Sequence, residues 1–218
     1  MAAPFLIPQC AILVLALFVI RSTSSDIFLD WNVSFDFNLK PVSTYQPVIT
    51  INGMFPGPLI NASTNDIVHV NVFNSLDEPL LFTWNGIEQR LNSWQDGVSG
   101  TNCPIQPTTN WTYVFEIKDQ IGTFSYFPSI NFLKAAGGFG PIRVNNLPFI
   151  SVPFPKPEAE FDLLIGDWYN SSYKDIRSNL NISDDVISPN WMLINGKGPY
   201  LMNNLSKSYE TLNVTQGN

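Results

Sequence analysis

Histidine is almost missing from this chain: His69 is the single one in 218 residues. That excludes any multi-histidine metal centre built inside this chain. It also excludes every histidine-based nucleophile relay except one built on His69. Positive charge is scarce too. Eleven Lys and Arg stand against 18 Asp and Glu, a net charge of -7. No basic footprint exists to neutralise phosphates, so nucleic acid is not an expected partner. Cysteine occurs only at Cys10 and Cys103. The apolar run Ala11–Ile20 (AILVLALFVI) is too short to span a bilayer.

What is present suits a folded protein. Hydrophobic residues make up 44% and charged residues 13%, which argues against disorder. Aromatics are plentiful, with 16 Phe, 7 Tyr and 6 Trp, and 17 Pro with 13 Gly make turns frequent. The length fits one or two domains.

Residues 1–25 read as a signal peptide. The apolar run is followed by the small polar residues Ser22–Ser25 and then by Asp26, although no Lys or Arg precedes the run. Seven Asn-x-Ser/Thr sequons begin at Asn32, Asn61, Asn110, Asn170, Asn181, Asn204 and Asn213. None has Pro in the middle. Together these signals predict a secreted glycoprotein with no transmembrane helix once the signal is removed. Cys10 leaves with the signal, and Cys103 is then alone in an oxidising compartment. It is left as an intermolecular bond, a free thiol or one half of a bond whose partner is missing.

The rest of the chain alternates. Asp26–Lys40 reads as one long strand, with Ile27, Leu29, Trp31, Val33, Phe35, Phe37 and Leu39 on the apolar side. Val48–Ile51 is a short strand ending at the turn dipeptide Asn52-Gly53. Ile67–Phe73 points Val68, Val70 and Val72 inward. Leu80–Trp84 stops at Asn85-Gly86. Trp111–Ile117, Phe124–Phe127 and Pro141–Val144 complete a series of short strands, as in an all-β sandwich or barrel. Ser151–Pro157 carries three prolines and reads as a linker. Beyond it, Phe161–Trp168 reads as a strand, Ser171–Leu180 as a short helix, Trp191–Ile194 as a strand before Asn195-Gly196, and Thr211–Thr215 as the start of another strand. This second segment is too small for a β-sandwich with its own core.

Several segments resemble the first domain of plant multicopper oxidases of the ascorbate oxidase type. They are Asn52–Pro58 (NGMFPGP), Leu81–Gly86 (LFTWNG), Trp94–Ile105 (WQDGVSGTNCPI), Gly122–Ser129 (GTFSYFPS) and Ala136–Val144 (AGGFGPIRV). The combination is similar to the ascorbate oxidase homologue branch, which holds the "monocopper oxidase-like" and pollen-specific proteins. The resemblance implies a cupredoxin-like Greek-key β-sandwich over residues 26–150, the linker 151–157, and the incomplete beginning of a second cupredoxin-like domain over residues 158–218. In the family, the cysteine at the place of Cys103 pairs with one near the end of a third domain. That implies a truncated chain or a genuine short form.

Active members of the family hold a trinuclear copper cluster, and their first domain supplies four histidines as His-Trp-His-Gly and Tyr-His-x-His. Here the matching stretches read Thr83-Trp84-Asn85-Gly86 and Tyr126-Phe127-Pro128-Ser129. The ligand positions are therefore Thr83, Asn85, Phe127 and Ser129. A phenyl ring offers no donor lone pair, and neutral hydroxyls and amides are poor copper ligands. The resemblance thus implies a kept fold, a lost cluster, no cofactor in this chain and no catalytic residue.

The remaining chemistry-bearing residues read as structural. His69 falls on the parity opposite Val68, Val70 and Val72, which makes it a surface or interstrand residue. Asp96-Gly97 reads as a turn. Asp77-Glu78 and Asp184-Asp185 read as solvated loop charges rather than a glycosidase pair. Gly137-Gly138 lacks the GxxxxGK context of a phosphate loop and reads as a tight turn.

Three functions follow as expectations. The leading one is a secreted, glycosylated, non-catalytic family member acting at the plant cell wall, the apoplast or the outer plasma-membrane face, in growth or pollen-tube expansion. The second is a fragment of a copper-dependent oxidoreductase whose mononuclear copper lies in a missing third domain. The third is a module that binds wall polysaccharide or an extracellular protein.

Overall fold

The computed structural model describes residues 24–42, 46–90, 92–148, 150–155, 157–182, 187–198, 200–202, 205–207, 209 and 211–214. Residues 1–23 of the signal-peptide stretch, Asp184-Asp185 and Asn204 lie outside them. Eight strands build two sheets. They are β1 (Asp26–Asp36), β2 (Val48–Ile51), β3 (Ile60–Ser63), β4 (Ile67–Asn74), β5 (Phe82–Asn85), β6 (Asn110–Glu116), β7 (Gly122–Pro128) and β8 (Gly140–Asn145). One sheet has the order β2-β1-β4-β6 and the other β3-β8-β7-β5. Two separate four-stranded sheets make a sandwich and leave the barrel alternative behind. Two ladders are parallel, β1 with β4 and β3 with β8.

Period-two alternation supplies the core. Trp31, Val33, Val68, Val70, Val72, Tyr113 and Phe115 enter it from the first sheet. Ile60, Ala62, Phe82, Trp84, Tyr126, Ile142 and Val144 enter from the second. Its centre is aromatic: Trp31 lies 4.6 Å from Tyr126, and Trp84 lies 4.7 Å from Phe115, centroid to centroid. The two buried phenols keep partners. Tyr126 donates to the Pro58 carbonyl at 2.7 Å, and the Phe82 N–H donates to the Tyr113 hydroxyl at 3.1 Å. Burial pushes the Tyr113 phenol up to about 12 and also raises the Tyr126 phenol well above its ordinary value.

Some sequence expectations need correction. The first strand stops at Asp36, because the Asp36 carboxylate accepts from the N–H groups of Asn38 and Leu39 and turns the chain. Phe37 is therefore 74% exposed rather than buried. The strand expected over Phe161–Trp168 shortens to β9 (Ile165–Trp168), the only part facing β10 (Trp191–Ile194). Thr211–Val214 forms no strand, since no ladder partner lies beside it among the described residues. Strand β3 was not expected. It forms because Ile60 and Ala62 bury beside Ile142 and Val144 of β8. Two short strands, β11 (Tyr200–Met202) and β12 (Leu205–Lys207), pair with each other.

The helix α1 (Tyr173–Ile182) starts two residues later than expected. Ser172 caps it: its hydroxyl accepts from the Asp175 N–H at 3.2 Å and donates to the Asp175 carboxylate at 2.8 Å.

The segment after the prolines does not stand alone. Trp168 and Leu193 of the β9–β10 hairpin bury with Val42, Val48 and Phe139. Tyr173 and Ile176 of α1 join the main core. Gln46, itself buried, donates to the Ala135 carbonyl and accepts from the Tyr173 N–H. A segment too short for its own core thus shares one with the sandwich.

Candidate functional site

The four ligand-type positions meet on the outward face of β5 and β7. Thr83 pairs with Phe127 and Asn85 with Ser125 in the antiparallel ladder. Phe82 and Trp84 alternate with them into the core, as do Tyr126 and Pro128 on the facing strand. Ser129 follows directly after β7.

Their side chains are engaged locally. The Thr83 hydroxyl donates to Asp96 Oδ1 at 3.1 Å. The same oxygen accepts from the Trp84 N–H and from Gln89 Nε2, both at 3.1 Å. Asp96 is thus a hub that ties the following loop to β5. Ser129 Oγ lies 2.6 Å from the Gly97 carbonyl and 3.2 Å from that of Leu81, and donates to this pair. Asn85 is exposed. Phe127 lies under an ammonium group, with Lys134 Nζ 3.7 Å from its ring centroid.

The Asp96-Gly97 turn expected from sequence is present and tightly fitted. Gly97 has φ +64°, and a Cβ there would strike the Phe82 backbone. Its N–H donates to Asn102 Oδ1 at 3.2 Å. Gly137-Gly138 is not the tight turn expected: Gly137 ends the 3-10 helix Leu133–Ala136 and bridges Ile49, whose carbonyl accepts the Gly138 N–H. Cys103 is exposed and carries no disulfide among the described residues.

Beside Phe127 opens a cleft of about 350 Å³ that the sequence did not disclose. One wall comes from Phe127, Phe132, Lys134 and Phe139, the other from Asp167 and Tyr169 across the proline-rich segment. Burial pushes the Lys134 ammonium below its ordinary value, and Asp167 opposes that shift. These two groups are more than thirty residues apart in sequence, and no local pattern links them.

The other candidates lie elsewhere. His69 Nε2 sits 2.9 Å from Asp26 Oδ1, and its ring stacks on Phe28 at 4.5 Å. It is on the outward face of the other sheet. Glu78 is not a solvated loop charge. Arg177 Nη1 and Nη2 donate to its two oxygens at 2.7 and 3.3 Å, and its side chain is 15% exposed. This arginine holds the Glu78 carboxyl below its usual range. Among the described residues no cluster of three or more His, Cys, Asp or Glu could hold a metal ion. No described helix is long and apolar enough to cross a membrane. Asn32, Asn61, Asn110, Asn170 and Asn213 are exposed, and Asn181 falls in α1.

Comparison with known proteins gives a consistent result. A family model described as multicopper oxidase matches residues 36–148. The monocopper oxidase-like protein SKS1 of Arabidopsis thaliana is 56% identical over 176 residues, 78% of this chain and 30% of the relative. An L-ascorbate oxidase homolog of Nicotiana tabacum is 47% identical over 171 residues, 78% of this chain and 31% of the relative. The solved laccase of Botrytis aclada superposes with a TM-score of 0.69 at 26% identity, covering 85% of this chain and 33% of that one. The sandwich is the cupredoxin fold of these oxidases. The chain spans about a third of the length of the relatives it matches.

Proposed function

The chain belongs to the multicopper oxidase family, and from that premise we propose that it is a secreted, glycosylated member without its own copper cluster, non-catalytic as it stands. The carrying observation is the outward face of β5 and β7. The resemblance matches Thr83, Asn85, Phe127 and Ser129 to the copper-ligand positions of the family's first domain. A phenyl ring cannot ligate. The Thr83 hydroxyl is held by Asp96 and that of Ser129 by backbone carbonyls. An exposed amide at Asn85 is the remaining donor. This set does not fit a copper centre, which asks for several neutral imidazoles at fixed angles. Action at the plant cell wall or outer cell surface, in growth or pollen-tube expansion, rests on the resemblance to the ascorbate oxidase homologue branch. The sequons and the apolar leader support secretion. Activities of a longer protein would draw on parts beyond this chain.

The test loads the purified chain with copper, removes loose metal by dialysis and measures bound copper and oxygen uptake with ascorbate and with phenols. The reading expects substoichiometric copper and no uptake above buffer. Stoichiometric copper with sustained uptake overturns it.

A second reading is favoured by the cleft beside Phe127, whose size and mixed aromatic and charged lining suit a small ligand. In that reading the chain binds a wall oligosaccharide by stacking on Phe127 and Phe132. Titration with pectic and xyloglucan oligosaccharides, read by NMR shifts at these rings, supports it if the shifts saturate. Flat shifts at both rings remove it.

A further inference from the structure

The outward face of the β2-β1-β4-β6 sheet carries an unusual row. Phe73 of β4 is 41% exposed. Its ladder partner on β1 is Asn32, and its ladder partner on β6 is Asn110. Both asparagines are exposed, and both head Asn-x-Ser/Thr sequons. Directly opposite residues on one sheet face hold their Cβ atoms about 5 Å apart. One phenyl ring therefore stands between two sequon asparagines, within reach of whatever each carries.

The next outward row supports the arrangement. Asn71 faces Asp30 on one side and Thr112 on the other. Its Oδ1 accepts from Asn110 Nδ2 at 2.8 Å and from Thr112 Oγ1 at 3.3 Å. The asparagine and the hydroxyl of the Asn110 sequon are thus held side by side. On β1, Asn32 Oδ1 accepts from Ser75 Oγ at 2.6 Å. The sequon at Asn61 differs. Its ladder partner is Arg143, and Asn145 Nδ2 donates to its Oδ1, with no aromatic ring beside it in the ladder.

We propose that N-linked glycans on Asn32 and Asn110 pack their first sugars against the Phe73 ring from two sides and that this cover stabilises the sandwich. The apolar C–H face of N-acetylglucosamine suits a phenyl face, by dispersion and by removing ring area from water. In the transfer step, the asparagine Nδ2 attacks the anomeric carbon of an oligosaccharide linked to a lipid pyrophosphate. The bond from that carbon to the pyrophosphate oxygen breaks, and the lipid pyrophosphate leaves with the electron pair. A C–Nδ2 bond forms, and one Nδ2 proton passes to base. Nothing is oxidised or reduced. The hydrogen left on Asn110 Nδ2 is enough to keep the bond to Asn71. The inference rests on the secretion reading.

The experiment expresses the full chain in a secreting eukaryotic host. It maps glycans by peptide mass spectrometry and measures Tm for wild type, for Asn32→Gln with Asn110→Gln, and for Phe73→Ala, which removes the ring without creating a sequon at Asn71, in both backgrounds. The expected result is glycan on both asparagines and a Tm about 2–4 °C lower in the double variant, the scale of a modest contact in a chain of this size. Phe73→Ala should erase most of that difference. Trimming each glycan to a single N-acetylglucosamine should keep the wild-type Tm, and NMR should show ring-current shifts on that sugar. Secretion with glycan at Asn61 but neither Asn32 nor Asn110 modified overturns the inference and leaves the secretion reading intact. A Tm difference that Phe73→Ala does not change overturns the ring's role. Retention in the cell with every sequon bare overturns both readings.

Discussion

Asp96 accepts the Thr83 hydroxyl at 3.1 Å, and this bond binds the loop after β5 to the strand that carries two of the four ligand-type positions. The same carboxylate oxygen also takes the Trp84 N–H and the Gln89 amide. Asp96→Ala leaves these three donors without that acceptor. Urea denaturation should show a loss of about 2–3 kcal/mol. Thr83→Ala should cost about 1 kcal/mol, because only one of the three bonds is lost. Equal losses for the two variants would contradict a hub at Asp96.

Gly97→Ala should fail more severely. The backbone there is left-handed, and the added methyl meets the Phe82 backbone, which cannot step aside without moving β5. A loss above about 3 kcal/mol, or failure to fold, is expected. Gly100→Ala is the control. Its φ is also positive, but a Cβ there meets no atom within 4 Å, so its cost should be far smaller.

Glu78 links pH to stability. The Arg177 hydrogen bonds hold its carboxyl below the ordinary 4.5. A lowered carboxyl contributes stability that is fully present above its ordinary value and is lost as pH falls through the folded-state value. Arg177→Met should therefore flatten the fall in Tm below pH 4.5. Near neutral pH it should cost about 1–2 kcal/mol. A wild-type acid limb unchanged by the substitution would remove Glu78 as its source.

Lys134 should titrate below 10.5, because burial beside Phe127 disfavours its charged form. Asp167 opposes that shift, so Asp167→Asn should lower the midpoint further. Lysine-selective NMR on the two proteins reads the sign directly. An unchanged midpoint would place Asp167 outside the field of this ammonium.

Trp168→Ala should cost about 3–5 kcal/mol. The indole is fully buried among Val42, Val48, Phe139 and Leu193. Faster proteolysis within residues 151–157 should accompany the loss, because the hairpin beyond them then grips the sandwich less firmly.

Local patterns were legible wherever one face of a strand is buried. Val68, Val70 and Val72 alternate cleanly, and β4 forms where the alternation places it. Val48–Ile51 was equally legible because Asn52-Gly53 closes it, both residues with positive φ. The pattern misled at Phe37, where a side-chain acceptor at Asp36 outweighs continued alternation. It was silent at β3, whose four residues gain meaning only beside β8. The cluster of Thr83, Asn85, Phe127 and Ser129 was readable as two short motifs, since a two-residue spacing on a strand puts both side chains on one face. The role of Asp96 was not, because its partners lie seven to thirteen residues away. Sequence distance also hid the pairing of Glu78 with Arg177.

By itself the sequence determined which residues face inward along most strands, where the turns fall, and what chemistry the β5 and β7 face can offer, since side-chain identity and period-two geometry are local properties. Tertiary structure alone decided that β4 lies parallel to β1, that Phe73 stands between Asn32 and Asn110, that Lys134 meets Asp167 across a cleft, and that the segment beyond residue 157 shares the sandwich's core. These relationships join residues tens of positions apart. They arise where closing long loops is repaid by shared burial, and a window of a few residues holds no trace of that balance.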